Sequence, residues 1–196
     1  DLKNGGQGAP LTPIFHILLA DQIHKKFKVK FPIYILNIGG ISNITRIRIF
    51  KDELLNATDA YDIAPGNCLI DEWIRKNSND RFDKGGKIAK SGTTNKLILN
   101  QALENFRIED YKKSLDIKDF DISFIKGLSL EDGSSTLTDF TSTLIAKGID
   151  YIHDEDNNKN ITCLIAGGGR KNDFLISKIK NNLKNKKLFL NPIDKY

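Results

Sequence analysis

Residues 33–50 read IYILNIGGISNITRIRIF. A β-rich run introduced by Pro32 enters paired glycines, Gly39 and Gly40. A second extended run leaves them, with Ile44, Ile47 and Ile49 set among polar partners. A polar turn follows at Lys51-Asp52-Glu53. A third extended run, ATDAYDI at 57–63, then ends at APGN. Three strands in close succession predict an antiparallel meander.

Upstream, APLTPIFHILLADQIHKKF carries apolar residues at helical spacing after two prolines, which predicts a helix over Pro13 to Phe27. Downstream, NCLIDEWIRK places Leu69, Ile70, Trp73 and Ile74 on one helical face. The segment RFDKGGKIAKSG reads as a glycine-rich break before the helix in TTNKLILNQALENF. DFDISFIKGLSL reads as a further short helix. DGSSTLTDFTSTLIAKGIDYIHD reads as a long helix with an Asp/Ser/Thr-rich start. ITCLIAGGG is a strand running into three glycines, DFLISKIKNNL a helix, and KLFLNPI a last strand.

The order is three strands, several helices, then strand, glycine turn, helix and strand. It resembles the ribonuclease-H-like pattern of actin-like sugar kinases, and fold alone does not fix function. The expected class is α/β: a ribonuclease-H-like (actin-like ATPase/sugar kinase) lobe with a mixed sheet and added helices. Residues 1–196 are expected to form a single lobe, with no internal repeat and no low-complexity linker.

Composition narrows the function classes. At 39% hydrophobic and 28% charged residues, the chain can bury a real core. Its longest apolar runs, such as Ile33 to Leu36 and Cys163 to Ala166, fall far short of the roughly 20 residues that span a bilayer. The polar, glycine-rich start DLKNGGQGAP does not read as a signal peptide. Net charge is +5, but the basic residues are dispersed and no nucleic-acid module accompanies them, so a solvated surface is expected. Cys68 and Cys163 lack ligand partners at metal spacing and read as reduced, buried thiols of a cytoplasmic protein. His16, His24 and His153 are isolated, and His16 reads as structural. The chain holds no methionine, and a fragment is expected.

Four segments could carry chemistry. In LNIGGISNIT, Gly39 and Gly40 tolerate positive φ and close backbone approach, and Ser42 and Asn43 can donate hydrogen bonds. Read by itself, the segment is either an anion-facing turn or a plain hairpin. In AGGGRKND, a strand again enters glycines and leaves into a helix, which suits a phosphate or an adenosine packed on bare backbone, or a tight connection. It is neither a P-loop nor a dinucleotide fingerprint. In YDIAPGNCLIDEW, Asp62 precedes a Pro-Gly turn and Asn67 stands where it can cap the helix. Asp71, one turn in, reads as an exposed helical aspartate, or as the holder of a metal-bound water or sugar hydroxyl. In GGQGAP, Gln7 lies between glycines, and nothing local decides between flexible lead-in and ligand contact.

In order, GGQGAPLTPIFH, LNIGGISNIT, DIAPGNCLIDEWI, FDKGGKIAKSG, DGSSTLTDFT and AGGGRKN resemble the successive motifs of the anhydro-N-acetylmuramic acid kinase family. The segment KKSLDIKDF departs from the family's Lys-Ser-Thr-Gly-Arg-Glu. The resemblance implies an enzyme of cell-wall (peptidoglycan) recycling that uses ATP, Mg²⁺ and water. It would convert 1,6-anhydro-N-acetylmuramic acid into N-acetylmuramic acid 6-phosphate, with hydrolytic opening of the anhydro bridge. It further implies cofactor contacts at Gly39, Gly40, Ser42, Asn43, Gly167, Gly168, Gly169 and Asn172. Substrate-side contacts would fall at Gln7, Asp62, Gly66 and Asn67. The implied partners are the amino sugar and ATP, with neither nucleic acid nor membrane, and a homodimer in the complete protein. The family's phosphate loop, general-base aspartate and closing helix have no counterpart here. The chain is therefore expected to be a C-terminal lobe, truncated at both ends and inactive alone. The competing readings are a non-catalytic remnant that at most binds nucleotide, and another actin-like sugar or carboxylate kinase.

Overall fold

The meander forms where the alternating runs place it. In the computed structural model, which describes residues 11–48, 58–106, 114–154, 160–183 and 188–196, β1 is Ile33–Ile38, β2 Ile41–Ile47 and β3 Thr58–Pro65. β1 pairs antiparallel with β2, setting Asn37 opposite Asn43 and Ile38 opposite Ser42. β2 pairs antiparallel with β3, with a bulge between Ser42 and Asn43. β4 (Ile161–Ala166) then lies parallel to β1, and β5 (Leu188–Pro192) parallel to β4. The mixed sheet has the order β3-β2-β1-β4-β5.

The central position of β1 explains its unbroken apolar run. A strand covered on both faces has no solvent side and so no polar alternation. Ile33 and Ile35 face α1 (Leu11–Phe27), meeting Ile17, Ala20 and Ile23 together with Ile47 and Leu164. Tyr34, Leu36 and Ile38 face the larger core on the other side. That side is built by α2 (Cys68–Asn77), α3 (Lys87–Ser91), α4 (Lys96–Asn105), α5 (Leu130–Asp154) and α6 (Asp173–Asn182). α2 buries Leu69, Ile70, Trp73 and Ile74, the face its spacing predicts, and Cys68 as well.

α5 is the spine of the helical layer. Its Ser/Thr-rich first half is buried, and several of its hydroxyls are satisfied within the helix, while Ser135 pairs with Thr94. Ser134, Thr136 and Thr138 donate to the carbonyls of Leu130, Asp132 and Ser134, at 2.7 to 2.8 Å. Small hydroxyl side chains let neighbouring helices approach closely, and a hydroxyl bonded to its own helix is not stranded there.

Two sequence expectations change. The glycine-rich segment 81–92 is not a simple break: a 3-10 turn at Lys84–Gly86 leads into α3. Asp83 organises it, its buried carboxylate accepting from the N–H groups of Ile88 and Ala89, each at 2.9 Å. Conversely, DFDISFIKGLSL forms no α-helix before α5, only a 3-10 turn at Ser123–Ile125.

Both cysteines are free and buried, and burial pushes the Cys163 thiol up to about 12. His16 is structural. Its Nδ1 lies 2.8 Å from Thr45 Oγ1 and fastens α1 to β2. Burial pushes its imidazole below the ordinary 6.5. The unfolded chain therefore binds this proton more readily than the fold does. The stability that neutral His16 contributes is complete above about pH 6.5, and it is lost as the pH falls below that through the lower value of the folded state. Melting temperature should decline between pH 7 and pH 5, and less steeply in His16→Asn, as thermal unfolding followed by circular dichroism will show. Equal slopes would count against it.

Candidate functional site

β1 and β4 are adjacent and parallel, yet the chain leaves them in opposite directions. β1 turns at Gly39-Gly40 back into β2. β4 passes through a 3-10 turn at Gly168–Lys171 into α6 and on to β5. At such a switch point a crevice opens beyond the carboxyl ends of the two strands, the usual ligand position in open α/β sheets.

The Pro-Gly-Asn turn closes one side of the crevice. Gly66 N–H donates to Gly40 O at 2.8 Å, Asn67 N–H to Gly39 O at 2.7 Å, and Cys68 N–H to Gly40 O at 3.3 Å. The hairpin carbonyls thus satisfy the donors at the start of α2, groups a helix otherwise leaves orphaned. A Cβ at Gly66 would stand 2.2 Å from Gly39 O, so only glycine permits this approach. Asn67 occupies the N-cap position without a side-chain cap bond, contrary to the capping role its position suggests. Its amide faces the second glycine turn instead, with Oδ1 3.2 Å from where a Gly169 Cβ would stand.

That second turn abuts the end of β1. Gly167 has φ +79°, and a Cβ there would lie 2.5 Å from Ile38 O and 2.6 Å from Asn37 Oδ1. Gly169 is buried against Ile38, while Gly168 is exposed. Asn172 caps α6, its Oδ1 accepting from Leu175 N–H at 3.0 Å.

A cleft of about 280 Å³ opens beside these turns, lined by Asn67, Ile70, Asp71, Phe82, Asp83, Gly85, Gly168, Lys171 and Asn172. Of the sequence-predicted residues, Asn67, Gly168 and Asn172 line this cleft, while Gly39, Gly40, Gly66, Gly167 and Gly169 build the packed turns beside it. Others stand apart. Ser42 is fully buried and donates to Pro65 O at 3.3 Å, so its hydroxyl is engaged within the sheet. Asn43 pairs with Asp62 across β2 and β3, and Asp62 Oδ2 accepts from Leu115 N–H at 3.0 Å, away from the cleft lining. Gln7 lies outside the described residues.

Four cleft residues were not singled out by spacing: Phe82, Asp83, Gly85 and Lys171. Asn37, between the two glycine turns, was also missed. The FDKGG motif was the available signal for three of them. Asp71 is not the exposed aspartate its spacing suggests; it is half-buried and faces the cleft. Among the described residues no three His, Cys, Asp or Glu side chains gather to hold a metal. No described helix is long and apolar enough to cross a membrane.

The mixed five-stranded sheet, its helical layers and the glycine-walled crevice define an α/β lobe of the actin-like, ribonuclease-H-like kind. A family model for anhydro-N-acetylmuramic acid kinase matches residues 1–192. The chain belongs to the anhydro-N-acetylmuramic acid kinase family. It is 47% identical to the anhydro-N-acetylmuramic acid kinase of Pelagibacter ubique (strain HTCC1062), an alignment covering 100% of this chain and 51% of that protein. The enzyme of Brucella canis is 37% identical, with 91% of this chain and 45% of the relative covered. That of Zymomonas mobilis is 33% identical, with 94% and 47% covered. The chain thus spans about half the length of the curated relatives it matches.

Proposed function

We propose that this chain is the C-terminal, nucleotide-gripping lobe of a kinase that phosphorylates 1,6-anhydro-N-acetylmuramic acid with ATP and Mg²⁺, opening the anhydro bridge with water. The observation that carries the reading is the convergence of both glycine turns and the Pro-Gly-Asn turn beyond β1 and β4, beside a cleft of nucleoside scale. Phosphoryl transfer asks a protein mainly for positioning and charge stabilisation, which backbone turns held by a rigid sheet can supply. Gly40 and Gly168 present exposed backbone to the phosphates, and Gly167, Gly169 and Asn172 form the adenosine-side wall. ATP supplies the γ-phosphoryl group and Mg²⁺ neutralises its charge. Asp62, Gly66 and Asn67, with Gln7, are assigned to contacts with the sugar, and Asn43 to the nucleotide. Because the chain spans half of its relatives, water activation is assigned to the remainder of the complete enzyme. A cytoplasmic location and a homodimer of the complete protein belong to the same reading.

The experiment is a coupled ADP-release assay with the anhydro sugar. It compares the 196-residue chain with the longest continuous reading frame that contains it. Sugar-dependent turnover by the longer polypeptide and none by the shorter is expected. Turnover with acetate but not the anhydro sugar would contradict the substrate assignment.

A further inference from the structure

Asp71 is the one cleft carboxylate that the fold does not use. Asp83 beside it is spent on the N–H groups of Ile88 and Ala89. No described donor reaches the Asp71 oxygens, although the side chain lines the cleft from the first turn of α2. Its charged neighbours are Arg75, one turn along α2, and Asp83 and Lys171, which line the same cleft. Desolvation pushes the carboxyl up from its ordinary 3.8, and Arg75 offsets this in part. A carboxylate half-withdrawn from water without a donor is a cost that a ligand can remove.

The cleft's shape says which part of a ligand reaches it. At about 280 Å³ it lies at the small end of small-molecule sites, roughly 300 to 1,000 Å³, so it holds part of a nucleotide. Ile70 and the ring of Phe82, 56% exposed, suit a flat base. A phosphate would be repelled by Asp71 and is better placed toward Gly168 and the cation of Lys171, which also line the cleft. A vicinal diol offers two O–H donors, which matches an ionised carboxylate, an acceptor with two oxygens and no donor.

We propose that Asp71 reads the sugar of the nucleotide, accepting hydrogen bonds from both ribose hydroxyls of a nucleoside whose base lies against Phe82. The assignment rests on the nucleotide reading above and adds a specificity-determining residue to it.

The test is calorimetric titration of the chain, and of Asp71→Asn, with ADP, 2′,3′-dideoxy-ADP and IDP. The wild-type chain should bind ADP about tenfold or more tighter than dideoxy-ADP, the range expected for charged hydrogen bonds. In Asp71→Asn that ratio should fall below about threefold, through weaker ADP binding. The variant should melt no lower than wild type at pH 7. The reason is linkage: the folded carboxyl titrates above its unfolded value, so ionised Asp71 costs stability once the pH exceeds about 3.8, and the amide removes that cost. Equal wild-type affinity for ADP and dideoxy-ADP overturns the assignment and leaves the nucleotide reading standing. So does a ratio preserved in Asp71→Asn, or a loss confined to ADP-over-IDP preference, which would place Asp71 on the base. A variant that melts well below wild type and loses both ligands equally marks a structural role and overturns it too. No ADP binding by the wild-type chain overturns the nucleotide reading itself.

Discussion

Gly66→Ala is expected to unseat α2 from the hairpin and to abolish nucleotide binding. The added methyl carbon would sit 2.2 Å from Gly39 O and 3.0 Å from Gly40 O, both backbone atoms that no rotamer change can move aside. Relief requires pulling the hairpin away from α2, which breaks the Gly66, Asn67 and Cys68 N–H bonds to those carbonyls. Overpacking costs about 1 to 3 kcal/mol, and each lost backbone bond adds about 1 kcal/mol. A total near 3 kcal/mol or more is therefore expected in urea unfolding. The movement also displaces Asn67 from the second glycine turn, so ADP binding should fall below detection. A change within about 0.5 kcal/mol with ADP affinity retained would mean that the close approach is unimportant.

Trp73→Ala is the second large expectation. Trp73 is 5% exposed and locks α2 to α5: its Nε1 donates to Leu130 O at 3.0 Å, and its ring fills the notch that Gly133 leaves. Removing a buried indole costs about 3 to 5 kcal/mol in transfer and cavity terms, and here it also removes one of the hydrogen bonds to the Leu130 carbonyl, which keeps that of Ser134. Circular dichroism should place the denaturation midpoint far below wild type, since the tryptophan itself is gone as a fluorescent reporter. Because Asn67 and Asp71 ride on α2, ADP affinity should weaken in the fraction that stays folded. A midpoint shift worth under about 1 kcal/mol would show that α2 is held mainly by the hairpin.

The elements legible in the sequence were those with a strong period or punctuation. The buried run of β1, the apolar faces of α2 and α6, and the glycines after β1 and β4 each follow from local rules. Local rules fail where a tertiary neighbour sets the outcome. α3 forms inside a glycine-rich segment because Asp83, six residues before Ala89, supplies the missing start donors' partner. The hairpin reads either as an anion-facing turn or as a plain connection, and its two glycine carbonyls face α2 while the Ser42 hydroxyl is spent on Pro65. Asn67 stands at a cap position, but the hairpin has taken its backbone N–H and left its amide for the opposite turn. Asp71 follows the same logic. Helical spacing sets it beside the apolar stripe of α2, and only the arrival of the Phe82 segment and the Lys171 turn makes that flank a cleft. The partnership of β1 with β4, separated by more than a hundred residues, creates the switch point on which the site depends, and no single motif announces it.

The turns after β1 and β4 are proposed to form one nucleotide site. The most direct measurement is an amide NMR titration of the isotopically labelled chain with ADP and Mg²⁺. Saturable shifts are expected to concentrate at Gly39, Gly40, Asn67, Asp71 and Gly167 to Asn172, with α1 and α4 unmoved. Saturation with shifts confined to one turn, shifts clustered elsewhere, or no saturable change would contradict it.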